Sequence, residues 1–312
     1  MTRATLTSLL LGIATALACV ATSDDAMAYC RTAGCEEGVG ALCEPAQPGD
    51  CGIALTWSSP CISYSLQAGG TSGAPFETTR SLVRAGFDAW MNAECGGTTP
   101  GVALVETATV ECGAQGYDQD GGRNANLIVF RDDDWPYSAK GVLALTTLTY
   151  GLDSGLIYDA DMEFNSQEVA FSYGDEEVSY DFLSVVTHEA GHFLGLAHSS
   201  SDEATMVAEY KRGTTDLRSL SPDDVAGICA TYAAREFDSC APSRNLPTSC
   251  PDGTSDDGDE ADGGTTDEGC AVARGGTGRS SSRRGAAAIA LLGAALIAAA
   301  IRKKRPPRAS HA

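Results

Sequence analysis

The sequence predicts an α+β fold for the central part of the chain. Segments rich in β-favouring apolar residues fill much of residues 53–165, and apolar residues at helical spacing follow over residues 180–196. A helix start signal lies at Ser221, where Pro222 and two aspartates follow a capping serine. Together these segments predict a sheet that buries one side of the helix at residues 180–196.

The first predicted strand is residues 53–66, in which apolar and polar residues alternate. Residues 78–93 form a predicted helix, because large apolar side chains recur there at helical spacing. We interpret these side chains as core: Leu82, Val83, Phe87, Trp90 and Met91. Further strands are predicted at residues 102–110, 125–130, 141–150 and 156–165.

Two later helices are predicted from their apolar sides. The helix at residues 180–196 has a wide apolar side made of Phe182, Leu183, Val186, Ala190, Phe193 and Leu194. The closing helix begins after Ser221, with Asp223 and Asp224 at its positive end. Its predicted buried side is made of Val225, Ile228, Cys229 and Tyr232.

The run HEAGHFLGLAH at residues 188–198 contains the candidate metal ligands and the candidate catalytic residue. On a helix, His188 and His192 lie four residues apart and leave the same face, as two zinc ligands require. A catalytic zinc uses three protein ligands and a water, and His198 can be the third if the chain turns back at Gly195. Glu189 follows the first ligand and can act on the water as a general base.

The alternative interpretation of this run is a helix with incidental histidines. The chain has four histidines, of which three lie in the run and the fourth, His311, lies in a basic tail. This clustering favours a metal site over isolated core histidines.

The pattern HExxHxxGxxH resembles the metzincin clan of zinc peptidases, and the surrounding residues resemble its matrixin branch. Met206 is similar to the family's Met-turn, which places a methionine beneath the metal, and core packing is its alternative role. Tyr210 matches the segment that walls the pocket for the residue after the scissile bond. Ala208 stands where the family usually has proline. Astacin-like relatives have a zinc-binding tyrosine at that same position, so its absence implies three histidines plus water.

The resemblance implies a twisted, mostly parallel sheet with an edge strand over the cleft, an active-site helix and a C-terminal helix. Residues 143–149 would then be the edge along which a substrate backbone pairs. The acidic residues of the next strand, at 157–165, bind calcium in some relatives, but outward acids on a strand are the simpler interpretation. The family's second, structural zinc uses histidines that this region lacks, so one zinc is expected.

A second calcium interpretation concerns Asp118, Asp120 and Asn124. Their spacing fails the EF-hand loop, because Gly121 comes one position early, so a solvated turn is the better interpretation.

The composition and the N-terminal sequence indicate the compartment in which the protein acts and the classes of partner it can have. The chain of 312 residues has a formal charge of -21, which does not suggest a nucleic-acid partner. Residues 1–28 have the pattern of an export signal: a positive start, a short apolar run and an A-x-A cleavage site before Tyr29. A lipoprotein signal ending at Cys19 is the alternative, although the residues before it match a lipobox poorly.

Twelve cysteines fit an exported, disulfide-bonded protein. Without Cys19 of the signal and the isolated Cys270, ten remain, enough for five disulfides whose pairing the sequence leaves open. They are Cys30, Cys35, Cys43, Cys51, Cys61, Cys95, Cys112, Cys229, Cys240 and Cys250. A cysteine zinc site is the rival interpretation, but no pair has CxxC spacing.

These patterns divide the chain into six parts. A Cys-rich lead-in at residues 29–52 follows the signal, and the catalytic domain is predicted at residues 53–250. Residues 251–284 are a predicted disordered linker, because they are acidic and Gly/Ser-rich and their first part has no large apolar residue. Residues 285–301 are a predicted transmembrane helix and residues 302–312 a basic cytoplasmic tail.

The C-terminal part also resembles the tripartite sorting signals of bacterial surface proteins, most closely the myxobacterial type with its cysteine. The resemblance rests on Gly269-Cys270, the apolar segment and the terminal Arg/Lys cluster. It implies processing near Cys270 and retention at the cell surface, with release from the cell as the alternative.

We therefore predict an exported zinc metalloendopeptidase with one catalytic Zn²⁺. Ca²⁺ is a second candidate cofactor, which the sequence supports only weakly. Its partners would be a protein or peptide substrate and the membrane, and it would act as a monomer. A surface-displayed binding or adhesion module on a metzincin fold is the rival function, against which Glu189 argues, since a structural zinc needs no base. A protease with one dedicated substrate is a second rival.

Overall fold

A computed structural model describes residues 28–35, 38–117, 124–137, 141–235 and 240, together with the backbone of residues 286–294. The helices are α1 (Phe76–Met91), α2 (Phe182–Phe193) and α3 (Pro222–Thr231). The strands before α2 are β1 (Cys30–Cys35), β2 (Gly38–Cys43), β3 (Ile53–Ala54), β4 (Thr56–Trp57), β5 (Cys61–Leu66), β6 (Ala103–Glu106), β7 (Leu127–Phe130), β8 (Val142–Gly151), β9 (Leu156–Phe164), β10 (Phe171–Ser172) and β11 (Tyr180–Asp181). Two strands follow α2: β12 (Leu196–Ala197) and β13 (Ala286–Ala294).

The main sheet has the strand order β13-β8-β9-β7-β5-β6, and β4 pairs with β9. Strands β9, β7, β5 and β6 run parallel, whereas β8 runs antiparallel to β9. The central strand β7 is apolar throughout and buried along its whole length, as a strand covered on both faces must be. The predicted mostly parallel sheet is therefore present.

Helix α1 packs directly against α2 and completes the core. Its buried side contains Val83, Phe87 and Trp90, and the ring of Phe87 lies 5.2 Å from that of Phe193 on α2. The Trp90 indole N–H donates a 2.7 Å hydrogen bond to the carbonyl of Thr187. The predicted helix of residues 78–93 therefore exists with the predicted core side, although it begins and ends two residues earlier.

The lead-in is more ordered than its sequence predicts. Strands β1 and β2 form an antiparallel hairpin, and β1 also pairs with β3 and with β12, the strand that follows α2. Disulfides Cys30–Cys43 and Cys35–Cys51 cross-link the hairpin. Since β1 joins the chain beside the histidine run, the lead-in is built into the domain body.

Further cross-links tie distant segments to this body. Disulfides Cys61–Cys240 and Cys95–Cys229 span 179 and 134 residues, and Cys112 is also disulfide-bonded. The predicted disulfide framework is therefore present for nine of the ten cysteines, and Cys250 lies outside the described residues.

The prediction of one continuous strand at residues 53–66 is wrong. The structure has β3, β4 and β5 there, separated by Leu55 and by the segment at residues 58–60. Pro60 lacks an N–H and cannot donate to a sheet ladder, so β5 starts only at Cys61. The carbonyl of Pro60 accepts a 2.7 Å hydrogen bond from the amide of Ala103.

The interpretation of the acids on β9 as outward, solvated residues is also wrong. Asp159, Asp161 and Glu163 are all buried. Asp161 accepts hydrogen bonds from the amides of Leu127 (2.7 Å) and Gly116 (2.9 Å), and its burial and the nearby Asp159 raise its pKa well above the ordinary value. The three acids therefore do not face water, and Asp161 joins β9 to the start of β7 and to the segment at Gly116.

Glu163 has its own buried partners. Its carboxylate forms an ion pair with Arg131 and accepts a hydrogen bond from the Tyr137 hydroxyl. A buried charge requires such pairing, because desolvation without a partner costs several kcal/mol.

The prediction of a helix over residues 285–301 is wrong where the structure describes it. Residues Ala286–Ala294 form β13, which pairs antiparallel with β8 from Gly151 to Val142. A strand edge presents free N–H and C=O groups, and an apolar segment without charges can add to it. Among the described residues no helix is both long and apolar enough to cross a membrane. Consequently β8, predicted as the open edge, lies inside the sheet.

Several predictions fall outside the described residues. These are the signal peptide up to residue 27, the linker at 251–284 with Cys270, the basic tail at 302–312, and Asp118 and Asp120 of the calcium interpretation. They stay predictions.

We expect Gly86→Ala to destabilise the domain, because Gly86 sits where α1 meets α2. A Cβ there would lie 2.5 Å from Val186 Cγ1 and 3.2 Å from the amide nitrogen of Thr187. Overpacking of this kind costs about 1–3 kcal/mol, which exceeds the gain of about 1 kcal/mol in helix propensity. Urea unfolding measures the free energy of unfolding. Gly69→Ala is the control, since a Cβ there meets nothing within 4 Å.

Candidate metal centre and active site

Helix α2 carries the first two histidines, and both its ends are fixed by side chains. At its start the Asp181 carboxylate accepts a 2.8 Å hydrogen bond from the amide of Ser184. At its end the carbonyl of Phe193 accepts from the Trp57 indole (2.9 Å) and that of Leu194 from the Tyr232 hydroxyl (2.8 Å). Carbonyls in the last turn have no partner within the helix, so these donors stabilise its end.

The chain then reverses at Gly195, as predicted. Gly195 has φ of 87°, in the left-handed region where glycine is favoured. A Cβ at this position would also lie 2.7 Å from the carbonyl oxygen of Leu55. The reversal leads into β12, which pairs with β1 and brings His198 back towards α2.

The three histidines of the motif meet in one cluster. Their ring centroids lie 4.8 Å (His188–His192), 5.3 Å (His188–His198) and 4.8 Å (His192–His198) apart. One ring nitrogen from each lies within 4.8 Å of the others, so all three can bind a single ion. The structure thus brings together the residues that the sequence predicts as ligands.

Backbone carbonyls orient two of these rings. His188 Nδ1 lies 2.7 Å from the carbonyl oxygen of Thr205, and His192 Nδ1 lies 2.9 Å from that of Leu196. Since a carbonyl only accepts, each Nδ1 carries the proton and each Nε2 offers a lone pair. His188 Nε2 is buried without a hydrogen-bond partner, and His192 Nε2 faces His198 Nε2 at 3.2 Å. The lone pair of His192 thus points towards His198, as it would towards a metal ion that both rings bind.

Burial keeps the imidazoles neutral. Desolvation is the largest effect on all three rings: it lowers the pKa of His188, the pKa of His192 falls well below the ordinary value, and that of His198 falls to about 3. Repulsion from the neighbouring rings adds to the effect on His192 and His198. Neutral imidazole is the form that binds a metal, so the donor set fits a zinc ion that three histidines hold.

Glu189 lies beside this cluster, buried within α2. Its Oε2 accepts a 2.6 Å hydrogen bond from the Thr146 hydroxyl on β8. Burial raises the pKa of Glu189 to about 8, and the hydrogen bond from Thr146 acts in the opposite direction. A carboxyl group with a raised pKa next to a metal site is suited to take up and release a proton near neutral pH.

Met206 is buried against the middle of α2, between the two helical histidines. A Cβ at Gly191 would collide with the Met206 sulfur, and it would lie 2.8 Å from the Trp90 ring. Only glycine at residue 191 therefore leaves room for the methionine. The packing of Met206 against α2 is thus observed, and its role beneath a metal stays a prediction.

Asp224 fixes the backbone of this methionine, a role that the sequence did not reveal. Its carboxylate accepts hydrogen bonds from the amides of Thr205 (2.7 Å) and Met206 (3.0 Å). The same group accepts from the Ser221 amide and hydroxyl, completing the capping box of α3. Since the carbonyl of Thr205 orients His188, Asp224 connects the start of α3 to a candidate ligand.

The neighbouring Asp223, which the sequence predicts at the positive end of α3, also makes contacts outside that helix. Its carboxylate accepts hydrogen bonds from the Ser199 hydroxyl (2.6 Å) and from the amide of Ala28. It therefore joins α3 to the start of the described chain and to the residue after His198.

Tyr210 lies near the start of α2 rather than among the histidines. Its hydroxyl accepts a 2.8 Å hydrogen bond from the amide of Asp181 and donates one of 2.6 Å to the carbonyl of Thr214. Arg218 forms two hydrogen bonds with the Asp181 carboxylate, at 2.8 and 2.6 Å. The segment after Met206 is thereby attached to the N-terminus of α2.

We expect the purified full-length chain to contain one equivalent of zinc, and His192→Ala to lose it. Removing one of three ligands leaves two, which is fewer than catalytic zinc sites use. Elemental analysis after dialysis measures the bound metal. His311→Ala, which removes the histidine outside the cluster, is the control and should keep the metal. Equal zinc content in both variants would contradict the assignment.

The part of the chain that contains this site is similar in sequence to known peptidases. The model of the Matrixin peptidase family matches residues 130–233. Matrix metalloproteinase-C of Caenorhabditis elegans is 29% identical over 187 residues, 57% of this chain and 29% of that protein. Matrilysin of Mus musculus is 34% identical over 103 residues, 33% of this chain and 37% of that protein. Matrix metalloproteinase-16 of Homo sapiens is 28% identical over 197 residues, 62% of this chain and 30% of that protein.

The chain spans about a third of the length of these relatives. The segment that matches the family model contains β8, β9, α2 and α3, and with them all three histidines and Glu189. The predicted metzincin type of α+β fold is confirmed by this match, and residues 130–233 are similar in sequence to the Matrixin family.

Proposed function

We propose that this protein is an exported, zinc-dependent endopeptidase that hydrolyses peptide bonds. One observation carries the proposal: three neutral imidazoles converge beside a buried glutamate, with a methionine packed against the same helix. The match to the matrixin family supports it.

In this proposal His188, His192 and His198 would hold the metal, and Met206 would pack beside them against α2. Zinc held there would supply Lewis-acid chemistry that polarises the scissile carbonyl and lowers the pKa of a water molecule. Glu189 takes the proton from the attacking water and passes it to the leaving amine.

We also infer how a peptide would bind. The outer edge of β8 accepts an extended segment, since β13 pairs along it in antiparallel register. A substrate that used the same backbone hydrogen bonds would lie beside α2, because Thr146 joins β8 to Glu189. Such pairing reads no side chains, so specificity would come from a pocket that Tyr210 helps to shape.

Export and surface retention belong to the same proposal. The disulfides of the described domain support an oxidising, extracellular setting. Signal removal after Ala28 and processing near Cys270 would produce the mature chain. Intact-mass measurement of the protein from its native host tests both ends.

Glu189→Gln should abolish cleavage of an unstructured protein substrate while zinc content stays at one equivalent. The amide keeps the size of the side chain but cannot take a proton, and general base catalysis contributes about 10²- to 10⁴-fold. Gel-based cleavage assays of wild type, wild type with chelator and Glu189→Gln measure the effect. Tight stoichiometric zinc with no cleavage by wild type would instead favour a dedicated substrate or a binding role.

Truncation after residue 250 should raise the rate of cleavage relative to the full-length chain. Strand β13 and an extended substrate would compete for one edge, and a segment tethered to the domain has a high effective concentration there. Initial rates on the same substrate at matched zinc content measure the difference. A second variant, with residues 285–301 replaced by Gly/Ser, separates loss of β13 from loss of the linker. Equal rates in all three proteins would show that β13 does not compete.

A further inference from the structure

Thr146 is a polar side chain in a part of the sheet that is closed to solvent. It is fully buried in the middle of β8, opposite Met162 of β9. A buried hydroxyl that lacks a partner costs about 1–3 kcal/mol, so its hydrogen bond must be accounted for. That bond, of 2.6 Å, goes to Oε2 of Glu189, and the hydroxyl also lies 3.3 Å from the Glu189 backbone carbonyl.

The direction of this hydrogen bond follows from chemistry. The structure has the Thr146 hydroxyl donating to Oε2 of Glu189, and this is the direction required by the ionised carboxylate in which a general base acts. Hydrogen bonds from a neutral donor to an ionised acceptor are shorter and stronger than neutral ones, and 2.6 Å is in their range. The contact joins two elements far apart in sequence, β8 and α2, at the residue next to a candidate metal ligand.

We propose that Thr146 is a positioning residue for Glu189. Its hydroxyl holds Oε2 and so leaves Oε1 to receive the water proton, which fixes both the rotamer of the side chain and the oxygen that reacts. A general base must lie within hydrogen-bond reach of its proton, and a small misplacement slows the reaction strongly. This inference rests on the proposed endopeptidase function and adds a residue outside the HExxHxxGxxH motif.

The neighbouring threonine shows that a hydroxyl on β8 does not acquire a partner by default. Thr147 is also buried, yet its hydroxyl has no hydrogen-bond partner. Strand β8 therefore carries two adjacent threonines on opposite faces, and only the one on the α2 side is bonded. The contact of Thr146 with Glu189 is thus a property of that face of the sheet.

The test compares Thr146→Val, which keeps the shape but removes the hydroxyl, with Thr146→Ser, which keeps the hydroxyl. We expect Thr146→Val to lower kcat by about 10- to 100-fold, the range expected for loss of a hydrogen bond to a charged group, with little change in KM. Thr146→Ser should restore most of the activity. Zinc content should stay at one equivalent in both variants.

One control variant and one structural measurement separate an effect on the position of Glu189 from an effect on stability. Thr107→Val removes a half-buried hydroxyl just after β6, at the opposite edge of the sheet from β8, which lies 3.0 Å from the Tyr64 carbonyl and 2.8 Å from the Ser65 hydroxyl. Its melting temperature shows what such a loss costs without the contact to Glu189, and its kcat should match wild type. A crystal structure of zinc-loaded Thr146→Val should show the Glu189 carboxylate in more than one orientation, against one in wild type.

The outcomes are distinct. Wild-type cleavage with unchanged kcat in Thr146→Val and a single Glu189 orientation would overturn the inference and leave the proposed function intact. A drop in kcat that Thr146→Ser does not relieve would also overturn it, because the hydroxyl would then not be responsible. No cleavage by zinc-loaded wild type would overturn the proposed cleavage of unstructured protein, and with it the basis for this role, whatever the Thr146 variants do.

Discussion

The chain reversal at Gly195 is the constraint on which the site depends. Two histidines on one helix face make an incomplete metal site, and the third must come from chain that has left the helix. The left-handed residue, the aromatic donors to the last carbonyls of α2 and the pairing of β12 with β1 all serve this change of direction. The N-terminal hairpin is thus part of the architecture that places His198.

The parts of the site that lie close in sequence could be predicted. The spacing of His188 and His192, the turn at Gly195 and the cap at Ser221 follow from local geometry. The contacts of Asp224 with Met206 and of Thr146 with Glu189 could not, because they join segments whose approach is set by the packing of the whole domain. An aspartate in a first helical turn looks the same in sequence whether or not a distant amide reaches it.

The errors about the fold have a similar origin. Alternation of acids along β9 predicts a solvated face, but the acids on that face are buried, and backbone amides of Leu127 on β7 and of Gly116 donate to Asp161. The apolar run at residues 285–301 predicts a helix by composition, whereas an available strand edge offers another partner for its backbone. In both cases hydrogen-bonding groups elsewhere in the chain determined the structure, and the local sequence pattern did not.

The long-range disulfides have a consequence for when the site can exist. Cys95–Cys229 links the end of α1 to α3, and Cys61–Cys240 closes a still longer loop. Closing loops of this size stabilises a fold by about 4–5 kcal/mol, comparable with the entire stability of many domains. Under reducing conditions the chain lacks these cross-links and the stability they contribute. The disulfides therefore make the stability of the fold around the three-histidine cluster depend on an oxidising setting, so that a thiol reductant would weaken the site without reacting with any of its histidines.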